Sequence, residues 1–148
     1  MKKIVIIGAG IIGLAIAREL SNKGYKNIII LEKESEIASH QSYRNSGVMH
    51  SGLYYKPGSL KAELSREGIK LMKDYCNINN IAWEECGKVV VATNSNELIN
   101  IEKLLMRGIK NNLIGLRKLT KNEVKKIEPY VNAVEGIHVP EESIVNYR

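Results

Sequence analysis

"KIVIIGAGIIGLAIARELSNKGYKNIIILEKE", Lys3 to Glu34, is the stretch that decides how this chain folds. Lys3–Ile7 is a short β-branched run that ends at a glycine, the pattern of a buried strand. From Ile11 to Lys23 the pattern changes to a helical one. Gly13, Ala15 and Ala17 keep part of that helix small enough to lie close on a sheet. Gly24 stands where a left-handed residue would close the helix. Asn27–Leu31, "NIIIL", is a second buried strand. Together they form a βαβ unit, whose crossover is expected to be right-handed.

Gly8-Ala9-Gly10-Ile11-Ile12-Gly13 is a GxGxxG between that strand and that helix. Gly8 makes the tight turn, Gly10 admits a pyrophosphate to the backbone, and Gly13 lets helix and strand pack closely. The N-terminus of that helix offers free N–H groups and the positive end of the dipole to phosphates. Glu32 closes the second strand about 20 residues further on, where an acid binds ribose hydroxyls. An acid in that place disfavours a 2′-phosphate, and so NADP. It does not separate NAD from FAD, since both carry ADP. The competing reading is a glycine-rich turn in some other α/β protein.

With 148 residues, 44% of them hydrophobic and 26% charged, the chain is the size of one domain. The formal charge of +6 comes from scattered lysines rather than a basic run interleaved with aromatics. The expectation is therefore no nucleic-acid partner, and an anionic small molecule suits the charge equally well. Cys76 and Cys86 have no CxxC or metal spacing and read as two buried thiols in a reducing cytoplasm. No metal site is expected. The first residues, a lysine pair before an apolar run, superficially resemble a signal peptide, but three glycines and Arg18-Glu19 break that pattern.

Further along, Pro57-Gly58-Ser59 opens a helix that continues to about Tyr75. "IAWEECGKVVVAT" reads as strand, turn at Cys86-Gly87, and strand. Asn94 with Glu97 and Thr120 with Glu123 carry capping signals, the first ahead of the apolar stripe Leu98, Ile101, Leu105 and Ile109. Pro129 ends the second of these helices, and "GIHVP" is a further strand.

"HQSYRNSGVMHSGLYY", His40 to Tyr55, fits none of these patterns, being too polar for a core strand and without a helical period. "GAGIIGLAIAREL", "LEKE", "HQSYRNSGVMHSGLYYKPGSLKAEL", "CGKVVVAT", "EPYV" and "GIHVPEESIVNYR" resemble the FAD-dependent oxidoreductases of the D-amino-acid-oxidase type. Within that group they are most similar to the L-2-hydroxyglutarate oxidase/dehydrogenase family. Met49 departs from the pattern, standing where a smaller or β-branched residue is expected.

The resemblance implies an α/β fold, a Rossmann-like FAD-binding βαβ unit followed by the beginning of an α+β substrate domain. Residues 1–78 would be the FAD-binding part and 79–148 the start of the substrate domain. Family members are longer, so the chain is expected to be a truncated, N-terminal fragment. The implied cofactor contacts are Gly8, Gly10, Ile11, Ile12, Gly13, Glu32, Lys33, Gln41, Ser42, Asn45, Ser46, Gly47 and Val48, with His40–Gly52 running beside the flavin. A flavin has a polar edge and an apolar face, which a loop of amides and hydroxyls on rigid strands can cradle.

The implied reaction is the oxidation of L-2-hydroxyglutarate to 2-oxoglutarate by hydride transfer to flavin, with oxygen or a quinone as electron acceptor. His50 is the candidate catalytic acid/base or substrate-orienting group. Its alternative is a hydrogen-bonded structural role in the flavin loop. Arg44 is either an anion-holding fork or an exposed loop residue, and His40 either a phosphate partner or a loop residue. Lys88 either faces a dicarboxylate or is exposed to solvent. Tyr54 and Tyr55 read as core or rim, and His138 as packed or hydrogen-bonded in its strand.

Three alternatives stay open: a noncatalytic nucleotide-binding remnant, an FAD-dependent glycerol-3-phosphate or amino-acid oxidoreductase relative, and half of an NAD-dependent dehydrogenase. The expected place is the cytoplasm, with a peripheral seat on the inner face of the membrane as an option. A second chain completing the fold is a further expected partner.

Overall fold

The β-branched runs at either end of the opening stretch pair as parallel strands, β1 (Ile4–Ile7) and β2 (Ile28–Leu31), with Ile4 opposite Ile28 and Ile7 opposite Leu31. These coordinates are a computed structural model that describes residues 3–146; the outermost positions of the two expected domains, 1–2 and 147–148, lie outside it. α1 (Ile11–Asn22) joins the two strands. It stops because Gly24 takes φ 88°, which only a residue without Cβ adopts at little cost. The Tyr25 N–H then reaches back to the Leu20 carbonyl and the Gly24 N–H to that of Ser21, at 3.1 and 2.9 Å. That is the Schellman pair of bonds that satisfies the last carbonyls of a helix.

The described chain divides into two compact units, one reaching to Ser46 and the other running from Gly47 onward. The first holds β1, α1 and β2. The second begins with β3 (Val48–Met49) and α2 (Leu60–Ile78), and the Ser59 hydroxyl accepts the Ala62 N–H at the start of that helix. β4 (Trp83–Glu84) and β5 (Lys88–Ala92) follow. A 3-10 turn at Ser95–Glu97 leads into α3 (Leu98–Lys110). The chain continues through β6 (Arg117–Thr120), α4 (Lys121–Ile127), β7 (Glu135–Val139) and β8 (Ser143–Val145).

These strands make two antiparallel sheets, ordered β3-β8-β4 and β5-β7-β6. β4 and β5 therefore belong to different sheets, although a turn at Gly87 separates them in sequence. The core lies on the β5-β7-β6 sheet. Leu53, Ala92, Ile101, Leu113, Ile137 and Val139 form one cluster under α3, and Leu119, Val124 and Ala133 a second under α4. Fully burying an aliphatic side chain contributes roughly 1.5–3 kcal/mol, so this sheet is the second unit's main anchor.

Local signals read from the sequence act as expected at α4, where Thr120 and Glu123 form a complete capping box. Ahead of α3 the geometry differs. Asn94 accepts from the Asn96 N–H, while Glu97 reaches past it to the Thr93 N–H at 2.7 Å. The expectation of two buried thiols holds for Cys76 only. Cys86 is exposed, because it stands just before the turn that carries the chain from one sheet to the other. Among the described residues no helix is long and apolar enough to cross a membrane.

Candidate functional site

Close packing at the β1–α1 junction begins with Gly13. A Cβ there would stand 2.0 Å from the Gly8 carbonyl oxygen, so no other residue lets the helix approach the turn this closely. Beside the turn lies a cavity of about 320 Å³. Gly8 and Gly10 line it on one side, Leu31, Glu32 and Lys33 at the end of β2, and the segment from Ala38 to Ser42 closes it. Ile7, 87% exposed, adds an apolar wall.

Glu32 is held by three backbone N–H groups: Ala9 at 2.7 Å, Lys33 at 2.8 Å and Glu34 at 3.1 Å. The Ala9 N–H above all, then the Glu34 N–H, draws its pKa below the ordinary carboxylate value. It is thus an ionised acceptor fixed in place. A carboxylate offers about four lone-pair sites, so capacity for one further donor is left.

The helix start is capped from outside its own segment. Gly10 has no side chain to cap α1, and the Ser42 hydroxyl accepts the Ile11 N–H instead, at 2.9 Å. A Cβ on Gly10 would press on that hydroxyl at 3.1 Å. The Ile12 and Gly13 N–H groups have no carbonyl to reach within their own helix. An ionised acid for a diol, N–H groups at a helix start for a diphosphate, and apolar walls for a flat ring suit the ADP portion of a dinucleotide.

His40 pairs through Nε2 with Glu34 at 2.8 Å, and the Asn45 amide donates to the carbonyls of Gln41 and Ser42, turning its own loop. The Gly47 carbonyl accepts from the Val145 N–H, and Val48 lies in β3 opposite Ile144. Arg44 and Ser46 are exposed, and His138 sits in β7 opposite Val89 and Arg117. Burial, then the charge of Arg117, lowers the pKa of His138.

A second polar cluster, which the sequence did not single out, centres on Glu142. Its side chain is only 2% exposed. One carboxylate oxygen accepts the Ser51 N–H at 2.9 Å and the Ser51 hydroxyl at 2.8 Å, with the Lys88 ammonium 3.1 Å away. The other oxygen is 3.0 Å from His50 Nδ1. Burial alone pushes the Glu142 carboxyl up, but the two Ser51 donors and Lys88 together hold it below the ordinary value.

The Lys88 nitrogen is itself buried, and its approach to Glu142 is that of an ion pair off the hydrogen-bonding angle rather than a directed hydrogen bond. It also lies 4.8 Å above the Tyr54 ring. Solvent exposure, one of the two sequence readings of Lys88, is thereby corrected. Burial, then the negative charge of Glu142, raises the Tyr54 pKa. The Asn111 amide donates to the carbonyls of Gly52 and Tyr55, and Arg107 to that of Tyr54, which fixes the loop after Ser51.

Comparison with known proteins agrees with the dinucleotide geometry. The family described as FAD dependent oxidoreductase matches residues 3–148. The chain belongs to that family.

Among relatives of this chain, the mitochondrial L-2-hydroxyglutarate dehydrogenase of Dictyostelium discoideum is 49% identical over 148 residues, covering 98% of this chain and 33% of its own. The L-2-hydroxyglutarate dehydrogenase of Indibacter alkaliphilus is 46% identical over 147 residues, covering 99% of this chain and 37% of its own. The dithionite-reduced L-α-glycerophosphate oxidase of Mycoplasma pneumoniae, solved with FAD bound, superposes with a TM-score of 0.85 at 34% identity, covering 98% of this chain and 39% of that one. The chain thus spans about a third of the length of the curated relatives it matches.

Proposed function

We propose that this chain carries the ADP-binding part of an FAD site and the candidate base of an enzyme that oxidises L-2-hydroxyglutarate to 2-oxoglutarate. The observation that carries the substrate is the 49% identity to a protein named L-2-hydroxyglutarate dehydrogenase. The cavity walled by Gly10, Glu32 and Ser42 supports the cofactor.

In this reading the Ile12 and Gly13 N–H groups receive the diphosphate, with Ser42 holding the first turn of α1 in place. Glu32 takes a ribose hydroxyl, and Lys33 stands beside it. The loop residues Gln41, Asn45 and Ser46 run along the remainder of the cofactor. FAD, when bound, supplies the two-electron acceptor for a hydride and passes the electrons on to oxygen or a quinone. His50 takes the proton of the substrate hydroxyl as the α-carbon becomes a carbonyl. Lys88 is committed to Glu142 and Tyr54, so recognition of the distal carboxylate falls to other groups.

Mixing the flavin-loaded protein anaerobically with L-2-hydroxyglutarate is expected to bleach the flavin absorption. Bleaching by glycerol 3-phosphate or an amino acid instead would assign the other substrate class, and bleaching by none of them would make the chain a binding module.

A further inference from the structure

We propose that Glu142 is a positioning residue that fixes which ring nitrogen of His50 carries the proton, so that Nε2 is the nitrogen offered to substrate. This deepens the role proposed for His50 and rests on it.

The two residues meet because of sheet register. β3 and β8 pair antiparallel with Met49 opposite Ser143, so His50, the residue that follows β3, comes beside Glu142, the one that precedes β8. The carboxylate cannot swing away. Its Oε1 is occupied by the Ser51 N–H, the Ser51 hydroxyl and the Lys88 ammonium, which leaves Oε2 facing His50 Nδ1 at 3.0 Å. An ionised carboxylate only accepts hydrogen bonds. A neutral imidazole beside it must therefore hold its proton on Nδ1 and carry its lone pair on Nε2. The His50 side chain is half exposed while that of Glu142 is sealed in, so the ring has one anchored edge and one accessible edge. The remaining ionisable groups at this cluster are Lys88 and Tyr54. Lys88 is paired with the carboxylate oxygen turned away from His50 and lies over the Tyr54 ring, so the tautomer is set by Glu142. A carboxylate holding the far nitrogen of a catalytic imidazole is a general way to orient a base.

The test is nitrogen NMR of the full chain with its histidines labelled, at a pH where imidazoles are neutral, with His50 assigned by its loss in His50→Gln. The wild-type spectrum is expected to give His50 as a single tautomer with the proton on Nδ1. In Glu142→Gln the amide oxygen will keep the place that faces Ser51 and Lys88, which puts the NH2 group against Nδ1. The tautomer is therefore expected to invert to Nε2–H. Ser51→Ala, which keeps the Ser51 N–H, is expected to leave the wild-type tautomer unchanged. A wild-type His50 found as Nε2–H or as an even mixture overturns the proposal, and so does Nδ1–H persisting in Glu142→Gln. Should Glu142→Gln not fold, the wild-type and Ser51→Ala spectra still decide it. None of these readings involves the substrate, so the hydroxy-acid assignment can fail while this one stands.

Discussion

A Cβ placed on Gly13 would lie 2.0 Å from the carbonyl oxygen of Gly8. The atom it meets is backbone, so the strain cannot be relieved by a side-chain rotation. Gly13→Ala is expected to destabilise the first unit by about 3 kcal/mol or more, the upper range for overpacking. Urea unfolding followed by circular dichroism would measure it, with a clear fall in midpoint as the predicted result. An unchanged midpoint would mean that α1 and β1 do not approach each other in this way.

Ser42 caps a helix from outside that helix's own segment. Ser42→Ala should weaken α1 by about 1 kcal/mol, the usual cost of a lost N-terminal cap. It should also loosen FAD binding by more than its effect on unfolding, because the same hydroxyl holds the turn proposed to receive the diphosphate. A stability loss with unchanged flavin affinity would confine Ser42 to a structural role.

Thr120→Ala tests the opposite case. The capping box of α4 is complete, so removing the hydroxyl should cost about 1 kcal/mol in thermal or denaturant unfolding. Because α4 is remote from the cofactor cavity in sequence and contributes nothing to its lining, flavin affinity should not change.

Glu142 predicts an acid limb in the stability profile. Its folded pKa lies below the ordinary value of 4.5, so on acidification the unfolded chain takes up the proton first. The stability it contributes is complete above pH 4.5 and is lost as pH falls from there through the folded pKa. Glu142→Gln should flatten this limb. Unfolding midpoints measured on either side of pH 4.5 in the two proteins would test it. Parallel profiles would assign the acid sensitivity to other carboxylates.

How far this was legible in the sequence depends on how local each signal is. The βαβ unit, Glu32 at the end of β2 and the capping box of α4 are written in residues a few places apart, and they can be read directly. The short strands β3, β6 and β8 lack a periodic run long enough to announce them, and their edges are set by pairing partners elsewhere in the chain. The separation of β4 from β5 into two sheets is likewise decided by β7 and β8. Glu142 lay hidden for the same reason. Its contacts with His50 and Ser51 span 92 and 91 residues, and in sequence it is one of two adjacent acids after a proline. The neighbouring Glu141 looks identical there, yet it serves Arg66 and the Ile114 N–H. The one hint was an acid pair following so closely on the apolar "GIHV".

The central claim is that the cavity beside the β1–α1 turn receives the ADP portion of FAD. The most direct measurement is a titration of the purified chain with FAD, followed by flavin fluorescence, in the wild type, Glu32→Ala and Ser42→Ala. The account predicts saturable binding to the wild type and at least about tenfold weaker binding to each variant, roughly the 1.4 kcal/mol of one strong polar contact. Equal FAD affinity in all three proteins would contradict it.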